Sequence, residues 1–586
     1  MIDTRTSRFT KQMSSKSDFT VGSGKPANVA DKPQKPKTHE GSWRESIETF
    51  VVTFIIAYVV KSFAFEAFVI PTGSMAPTLM GRHKEIDCPQ CGYRYAVSAS
   101  ESMGPTPVIA GTCVNCRYTA NIADAPNFKG DRILVLKSLF DLPEKLGGGP
   151  PKRWDVTVFK YPEEPETNYI KRLVGVPNED LRISRGDVYT RPLGSQEPYV
   201  IQRKGLDHQR AMQMLVHDDA HVPKALADDP RWKRWRVEEG GWKTIDEGVY
   251  GAETTGDSWA DLRYEHRVPT PEQWQAVTRG TALPGEPKPI LITDFYGYNT
   301  FQFDDDGIDK SAWFQPHWVG DLTVEFVLQV DKPTGEFRAE LVKAGVPYRF
   351  VVDLSNGFAR LERGDERIYR SQTPIREGGR YRIRFANVDN RLTVWVNHLT
   401  PFGDGVPYEI DPKEPAGPQA ADLKPVGLAV KNGKVSVSRL KLSRDIYYSL
   451  YPGGFDYAEN LWNTPLFSGQ ELFELLSDPK RFGAFANVRH VDFPIGPGRY
   501  MMMGDNSPAS KDSRAWKTFD RLDPNQPGTG WDDSNRQSWE VPERLIVGKA
   551  FMVYWPHAQP VWPKIRVNPD LIIPFRPYFE RMKVIR

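Results

Sequence analysis

The sequence predicts a mainly β protein of several domains. Glycine (47 residues) and proline (49 residues) are abundant in the 586-residue chain, as the many turns of a β-rich protein require. Apolar and polar residues alternate with period two in several stretches, most clearly in Leu322–Val330, and this pattern is typical of half-buried strands. At roughly 150 residues per domain, the length predicts about three to four domains.

The charge balance limits the classes of partner. Lys and Arg (77) nearly equal Asp and Glu (75), which leaves a formal net charge of +2. No electrostatic field of one sign therefore favours binding to nucleic acid, and we expect no nucleic-acid partner. A mean hydropathy of −0.52 excludes a polytopic membrane protein, but it is compatible with one membrane anchor.

The N-terminal region predicts a tail followed by an anchor. Residues 1–43 are polar and rich in Lys, Pro, Ser and Gly, so we expect a disordered tail. Residues 44–66 are largely apolar and predict a transmembrane signal anchor. The uncharged core of this segment is shorter than the roughly 18 residues of a clear span, so a buried core helix is the alternative. Nine Lys and Arg in residues 1–44 favour a cytoplasmic N-terminus and membrane lipid as a partner.

Three later segments carry residue types suited to catalysis. Pro71–Leu79 places Ser74 in a turn, Asn168–Pro177 places Lys171 in an apolar run typical of a strand, and Tyr500–Arg514 contains Met-Gly-Asp-Asn. A serine attacks a peptide carbonyl when a base accepts its proton, and lysine can be that base only when neutral. Burial can lower the lysine pKa from its ordinary value near 10.4 by the several units required.

The order of these motifs resembles type I signal peptidase (leader peptidase). Ser-Met-x-Pro-Thr-Leu, Gly-Asp-x-x-x-Val, Tyr-Ile-Lys-Arg-x-Val-Gly-x-Pro and Met-Gly-Asp-Asn-x-x-x-Ser-x-Asp-Ser-Arg follow one another, over residues 45–190 and 490–560. The resemblance implies an antiparallel β catalytic domain behind one N-terminal transmembrane helix. It also implies a serine endopeptidase that removes signal peptides from exported preproteins, needs no cofactor for catalysis, and lies outside a bacterial inner membrane.

The family's residue roles carry over to matching positions of this sequence. The resemblance implies that Ser74 is the nucleophile, that Lys171 is the general base and that Ser510 orients this base. It also implies that Thr72 supplies an oxyanion-hole hydroxyl, and that Asp512 and Arg514 form a supporting charge pair. Threonine replaces the serine frequent at position 72 but keeps the hydroxyl donor. Ser507–Ala509 replaces the Arg-Asp-Asn of many relatives, whereas the offset from Gly-Asp-Asn to Ser510 is unchanged.

Four cysteines interrupt the catalytic motifs. Cys88, Cys91, Cys113 and Cys116 form two Cys-x2-Cys pairs separated by 21 residues, which resembles a zinc ribbon with one structural zinc. Two disulfides are the alternative, because the predicted topology exports this segment to an oxidising compartment. Each of those disulfides would close a very short loop, whereas one metal would join both pairs, and this difference favours zinc.

A second insertion is predicted to be a sandwich. The alternating stretches in residues 300–448 resemble a jelly-roll β-sandwich of the concanavalin/laminin-G type, with Asp389-Asn390 as the turn of a hairpin. Residues 191–299 are an insert of unknown type. Two functions of the sandwich are equal alternatives: it binds a glycan or a protein, or it serves as a spacer. The predicted divisions are 1–43, 44–66, 67–87 (catalytic), 88–126 (ribbon), 127–190 (catalytic), 191–299, 300–448 (sandwich) and 449–586 (catalytic with a C-terminal tail).

A rival function comes from another class of protein. The chain would then be a catalytically inactive, membrane-anchored protein that displays the sandwich to a glycan or a protein. The intact set of Ser74, Lys171 and Ser510 argues for the peptidase, and a cleavage assay separates the two functions.

Overall fold

A computed structural model describes most of the chain: residues 42–59, 61, 64–100, 108–140, 142–143, 145, 148–300, 302–303, 316–452, 456–457, 469–516, 537–568 and 571–586. The prediction of a mainly β protein is confirmed, because these residues form 35 strands and four α-helices. Residues 1–41 of the predicted tail lie outside the described residues.

The first compact unit contains helix α1, Ser42–Val59. Its large apolar side chains are exposed, including Trp43 (82%) and Phe50 (73%). No helix in the described part of the chain has both the length and the apolar character needed to cross a membrane. The 18-residue helix begins at Ser42, before the predicted segment 44–66, and ends at Val59. The last two residues of that segment, Phe65 and Glu66, belong to strand β1 instead.

The second unit, residues 60–586, contains the other described elements. The first strands are β1 Phe65–Val69, β2 His83–Asp87, β3 Arg94–Ser98, β4 Val108–Thr112, β5 Thr119–Asn121, β6 Asn127–Phe128, β7 Arg132–Leu136, β8 Val156–Tyr161, β9 Glu164–Gly175, β10 Glu179–Ser184, β11 Asp187–Pro192 and β12 Val200–Ile201. The next are β13 Met214–Asp218, β14 Trp235–Glu239, β15 Trp242–Asp246, β16 Val249–Glu253, β17 Ala260–Tyr264, β18 Gln302–Phe303, β19 Leu322–Lys332, β20 Glu336–Lys343 and β21 Val346–Asp353.

The remaining elements follow in chain order. The strands are β22 Phe358–Arg363, β23 Glu366–Gln372, β24 Gly379–Val388, β25 Arg391–Val396, β26 Val406–Pro407, β27 Val426–Lys431, β28 Lys434–Arg444, β29 Val491–Ile495, β30 Arg499–Met503, β31 Val541–Pro542, β32 Ile546–Trp555, β33 Ala558–Asn568, β34 Leu571–Pro577 and β35 Lys583–Val584. The helices are α2 Leu206–Ala211, α3 Pro271–Arg279 and α4 Gly469–Ser477.

One sheet unites the segments that carry the catalytic motifs. Its strand order is β1-β7-β32-β8-β9-β30-β31, and β35 pairs with β32. Neighbours in this sheet come from opposite ends of the sequence: β30 pairs antiparallel with β9, so Met503 lies opposite Arg172. The loop that begins at Gly504 therefore starts beside Lys171, although more than 300 residues separate the two in sequence.

Two further sheets pack face to face around a common apolar core and form the sandwich. Their orders are β15-β16-β28-β19-β24-β25-β26, with β13 beside β28, and β14-β17-β27-β20-β21-β22-β23. The alternating apolar residues of Leu322–Val330 are buried as predicted. Asp389 and Asn390, both with positive φ, join β24 to β25 in the expected hairpin.

The sandwich begins earlier in the sequence than the predicted boundary at residue 300. Strands β13–β17, all from residues 191–299, hydrogen-bond into these two sheets; β16 pairs with β28, and β17 pairs with β27. The boundary is therefore corrected to include residues 214–264. These strands are short and are separated by charged turns, so the sequence does not show that β13, β16 and β17 pair with β27 and β28, about 160 to 230 residues away.

Candidate functional site

Ser74 lies at the centre of a short 3₁₀ helix, Gly73–Met75, directly after β1. The loop containing it is buried, and Ser74 itself is only 8% exposed. Thr72 precedes the 3₁₀ helix in an extended conformation, is half-buried, and makes no capping hydrogen bond with its hydroxyl. The loop thus presents a serine that has few solvent contacts beside a hydroxyl that is not used to cap the helix.

Lys171 reaches Ser74 from strand β9. Its Nζ donates a hydrogen bond to Ser74 Oγ over 2.6 Å, and Lys171 is 4% exposed. Successive side chains of a strand point to opposite faces, so Arg172 points away from Ser74. Arg172 makes its hydrogen bonds away from Ser74, and this confirms the predicted separation of the two cations.

Burial changes the protonation of Lys171. Loss of solvent is the largest influence and lowers the pKa of Lys171 from 10.5 to about 8, Asp512 and Asp505 work to raise it, and Arg514 lowers it further. At pH 7 a lysine with this pKa is about 10% neutral, whereas an ordinary lysine is about 0.03% neutral. A buried amine of this kind next to a hydroxyl can act as the base in acyl transfer.

We expect cleavage to rise with pH through about 8 and then to level off. The neutral form of Lys171 accepts a proton, so the active fraction increases as pH rises through its lowered pKa, given as about 8. Single-turnover rates with a peptide substrate between pH 6 and 10 measure the profile. A rate that climbs only near the ordinary lysine pKa would contradict the assignment of the base.

The loop after β30 supports the pair formed by Ser74 and Lys171. Asp512 Oδ2 accepts from Gly504 N over 2.9 Å, and Arg514 binds the same carboxylate through Nη2 (2.7 Å) and Nε (2.9 Å). Burial works to raise the pKa of Asp512, but Arg514 lowers it overall. Both side chains are fully buried. The predicted charge pair is therefore formed within the loop.

Ser510 lies against the backbone of the serine loop. A Cβ at Gly504 would fall 2.2 Å from Ser510 Oγ and 2.4 Å from Ser74 O, so only glycine fits between them. Ser510 is 1% exposed, and its hydroxyl helps to lower the pKa of Asp512. The structure thus brings Ser510 beside the Ser74 loop but does not place its hydroxyl in a hydrogen bond to Lys171.

Arg172 and Asp505 form a fully buried ion pair behind the site. Arg172 Nε and Nη2 donate to the two oxygens of Asp505 over 2.7 and 2.6 Å, and Nη1 donates to Trp154 O over 2.6 Å. Thr78, which follows the serine loop, donates to the same carboxylate. Asp505 therefore connects β9 to the segment that contains Ser74.

Asn299 is a site residue that the sequence analysis missed. Its amide exchanges two hydrogen bonds of 2.8 Å with the amide of Asn506. Asn506 in turn donates through Nδ2 to Gly73 O over 3.1 Å and through its backbone N to Ser74 O over 3.1 Å. Asn299 follows a Gly-Tyr pair in a segment without a recognised motif, so the sequence carries no signal for this role.

Replacing Asn299 with alanine should slow cleavage roughly 10- to 100-fold, since a displacement of about 1 Å at a reacting group can cost about 100-fold. The substitution leaves the buried amide of Asn506 without its partner and loosens the Ser74 loop. Asn356→Ala, at an exposed turn of the sandwich, is the matched control. Initial rates compared with thermal unfolding midpoints check the prediction, and an unchanged rate would contradict it.

The four cysteines converge in the ribbon segment. Cys88 Sγ lies 3.5 Å from Cys116 Sγ, Cys91 Sγ lies 3.7 Å from Cys113 Sγ, and all four sulfurs lie within 4.8 Å of one another. All four residues are buried and free. Tetrahedral zinc–thiolate bonds of about 2.3 Å separate the sulfurs by about 3.8 Å, so the residues fit a metal. Thr112 N donates to Thr300 Oγ1 over 2.7 Å, so the segment that contains the cysteines contacts the residue that follows Asn299.

The site thus combines a buried hydroxyl with a buried amine of lowered pKa on an antiparallel sheet, an arrangement that is chemically suited to acyl transfer. Residues 43–240 match the family model described as signal peptidase, peptidase S26. The chain is 28% identical over 164 residues to signal peptidase I of Pseudomonas aeruginosa, covering 26% of this chain and 41% of the relative. It is 25% identical over 154 residues to signal peptidase I of Rickettsia bellii, covering 26% and 40%.

The chain thus spans about two fifths of the length of these relatives, and the matched part is similar to a peptidase. Solved structures also match part of the chain. A carbohydrate binding module of Bacillus subtilis matches at 10% identity and a TM-score of 0.22, over 36% of this chain and 96% of that one. A galectin of Caenorhabditis elegans matches at 12% identity and a TM-score of 0.16, over 21% and 83%. TM-scores this low support no statement about a ligand.

Proposed function

We propose that this protein is a serine endopeptidase that removes N-terminal signal peptides from exported preproteins. The observation that carries the proposal is the 2.6 Å contact between Lys171 Nζ and Ser74 Oγ in a buried site. The similarity to signal peptidase I over the region that contains both residues supports the choice of substrate class.

The proposed reaction uses Ser74 as the nucleophile and Lys171 as the general base. Neutral Lys171 accepts the hydroxyl proton, and Ser74 Oγ attacks the scissile carbonyl carbon. The tetrahedral intermediate then collapses, the peptide C–N bond breaks, and protonated Lys171 gives its proton to the departing amine. Water, deprotonated by Lys171, hydrolyses the ester and releases the signal peptide as a carboxylate.

The surrounding groups would stabilise this reaction. The Ser74 backbone N–H and the Thr72 hydroxyl are proposed to donate to the oxyanion, as the extended, uncapped Thr72 allows. Ser510 is proposed to orient Lys171, and Asp512 with Arg514 to hold the loop. The substrate would bind as an added strand, in the manner of β-augmentation.

The test is cleavage of a synthetic preprotein by the purified full-length chain. Cleavage at a single bond after the signal peptide, absent from Ser74→Ala but present in Ser355→Ala, would support the proposal; Ser355 is an exposed serine of the sandwich. Intact substrate after incubation with the wild-type chain would favour the inactive binding protein instead.

We propose further that α1 attaches the chain to the inner membrane of a bacterium with the tail inside and the peptidase outside. The exposed apolar side chains of α1 and the nine cations of residues 1–44 support membrane lipid as a partner. Release of the protein from membranes by alkaline carbonate would contradict an anchor that spans the bilayer.

The four cysteines are proposed to bind one structural zinc, which contributes no group to the peptidase reaction. Their sulfur–sulfur distances of 3.5 and 3.7 Å support tetrahedral thiolate coordination. A ligand of the sandwich remains an open proposal, because no observed contact identifies its chemistry.

A further inference from the structure

A second group of metal-ligating side chains lies outside the cysteine cluster. His83 and Glu85 occupy alternate positions of β2 and therefore share one face of the strand. His557 lies between β32 and β33 and completes the group from the other end of the chain. One ligand atom from each of the three residues lies within 4.8 Å of the others.

His83 is held in the tautomer that binds metals. Its Nδ1 lies 2.7 Å from Gly81 O and, because a carbonyl can only accept, Nδ1 carries the proton and donates. The other nitrogen, Nε2, is then a free lone-pair donor; it is buried and has no hydrogen-bond partner. A ligating histidine commonly donates its second N–H to a carbonyl in this way.

His557 is equally enclosed. It is 3% exposed, and its Nδ1 has no hydrogen-bond partner. Its Nε2 lies 3.1 Å from Glu85 Oε2, and its ring lies 4.9 Å from that of His83 and 4.5 Å from that of Phe128. Buried polar atoms in folded proteins are nearly always paired, so the unpartnered His83 Nε2 and His557 Nδ1 require an explanation.

We propose that His83, Glu85 and His557 bind a divalent transition-metal ion, with Zn²⁺ the best match. Two imidazoles and one carboxylate are a ligand set that zinc accepts, at bonds of about 2.0–2.2 Å. Ligands at those lengths stand about 3.3–3.5 Å apart around a tetrahedral ion, close to the 3.1 Å between His557 Nε2 and Glu85 Oε2. A bound ion uses the free lone pairs of both histidines and neutralises the carboxylate.

The positive charge of the nearby Arg581 does not replace that of the proposed metal ion. Arg581 is the other charged group that acts on His83 and Glu85. Its Nη2 donates to Asp131 Oδ2 over 2.6 Å, so its charge is already paired. The glutamate carboxylate is therefore left to His557 and to the proposed ion.

The site would fasten the C-terminal segment to the serine loop. Gly81, whose carbonyl holds His83, packs against the loop so closely that a Cβ there would lie 2.2 Å from the carbonyl carbon of Thr72. The next residue, Arg82, donates its backbone N–H to Pro71 O over 3.2 Å. A metal at His83 thus ties the chain near residue 557 to the backbone that positions Ser74. This consequence for activity rests on the proposed peptidase function, whereas metal binding does not.

The experiment is metal analysis of the full-length chain after incubation with Zn²⁺ and removal of unbound ion. We expect His83→Gln and His557→Gln each to bind about one zinc per chain fewer than the wild type. His398→Gln, at an exposed histidine of the sandwich, should bind as much as the wild type. Equal zinc content in the wild type and both cluster variants would overturn the proposal, whatever their peptidase activity.

A second measurement separates this site from the cysteines and does not depend on the stability of one variant. Cys113→Ser/Cys116→Ser removes the thiolate site, so the remaining ion should be bound by nitrogen and oxygen alone. Co²⁺ added to this variant should give visible ligand-field absorption without the thiolate-to-cobalt charge-transfer band. The same spectrum after a further His557→Gln or Glu85→Gln substitution would overturn the proposal, and its loss would support it.

Discussion

Replacing Lys171 with alanine is expected to abolish preprotein cleavage, with a loss of about 10⁴-fold or more, and Ser74→Ala should do the same. Lys171 Nζ lies 2.6 Å from Ser74 Oγ in a buried site, which places the amine within reach of the hydroxyl proton. The double variant should be no worse than either single one, because the two groups act as a unit. Cleavage of a synthetic preprotein at pH 9 measures the loss.

The matched control is Lys160→Ala, an exposed lysine of β8, the strand next to Lys171. It should keep its activity and its unfolding midpoint. Appreciable processing by Lys171→Ala at neutral pH would reject the base assignment. A wild-type chain that is as inactive as the variants would instead support the anchored binding protein.

Asp505→Ala is expected to destabilise the protein by about 3–5 kcal/mol. Arg172 and Asp505 are both fully buried, and removing the carboxylate leaves the guanidinium charge without compensation. Burial works to lower the pKa of Arg172, and Asp505 raises it overall, so the arginine stays charged. Denaturant unfolding of the full-length chain, with the slope m compared between variants, measures the change in the free energy of unfolding.

A surface ion pair supplies the control for this second prediction. Arg182 donates to Asp492 over 2.7 Å at side-chain exposures of 29% and 36%, so Asp492→Ala should cost less than about 1 kcal/mol. Arg172→Met combined with Asp505→Leu should cost less than the sum of the two single changes, because it removes both charges together. A loss below about 1 kcal/mol in Asp505→Ala would show that the pair is not buried as described.

Residue order along the chain was enough to predict the short-range features of this protein. The alternation in Leu322–Val330 identifies a strand with one buried face, and Asp389-Asn390 identifies a hairpin turn. The opposite orientations of Lys171 and Arg172 follow from the same period of two. Each of these features depends on residues within a few positions of one another, where side-chain direction and turn geometry are local properties.

Contacts between distant segments were not predictable in this way. Strands β13–β17 looked like an insert of unknown type because their partners, such as β27 and β28, lie far away in sequence. Asn299 holds the Ser74 loop through Asn506, and nothing near it in the sequence signals that contact. His557 meets His83 and Glu85 only because the chain returns between β32 and β33.

The sequence by itself determined the mainly β class, and it predicted the residues that we propose for peptide cleavage and the four thiols that we propose share one metal. Only the tertiary structure decided where the sandwich begins and that Arg172 pairs with Asp505. It also decided that Asn299 supports Ser74 and that two histidines meet one glutamate. The physical reason is that composition, periodicity and motif spacing depend on neighbouring residues. Burial and the pairing of distant polar groups depend instead on which surfaces the folded chain excludes from water.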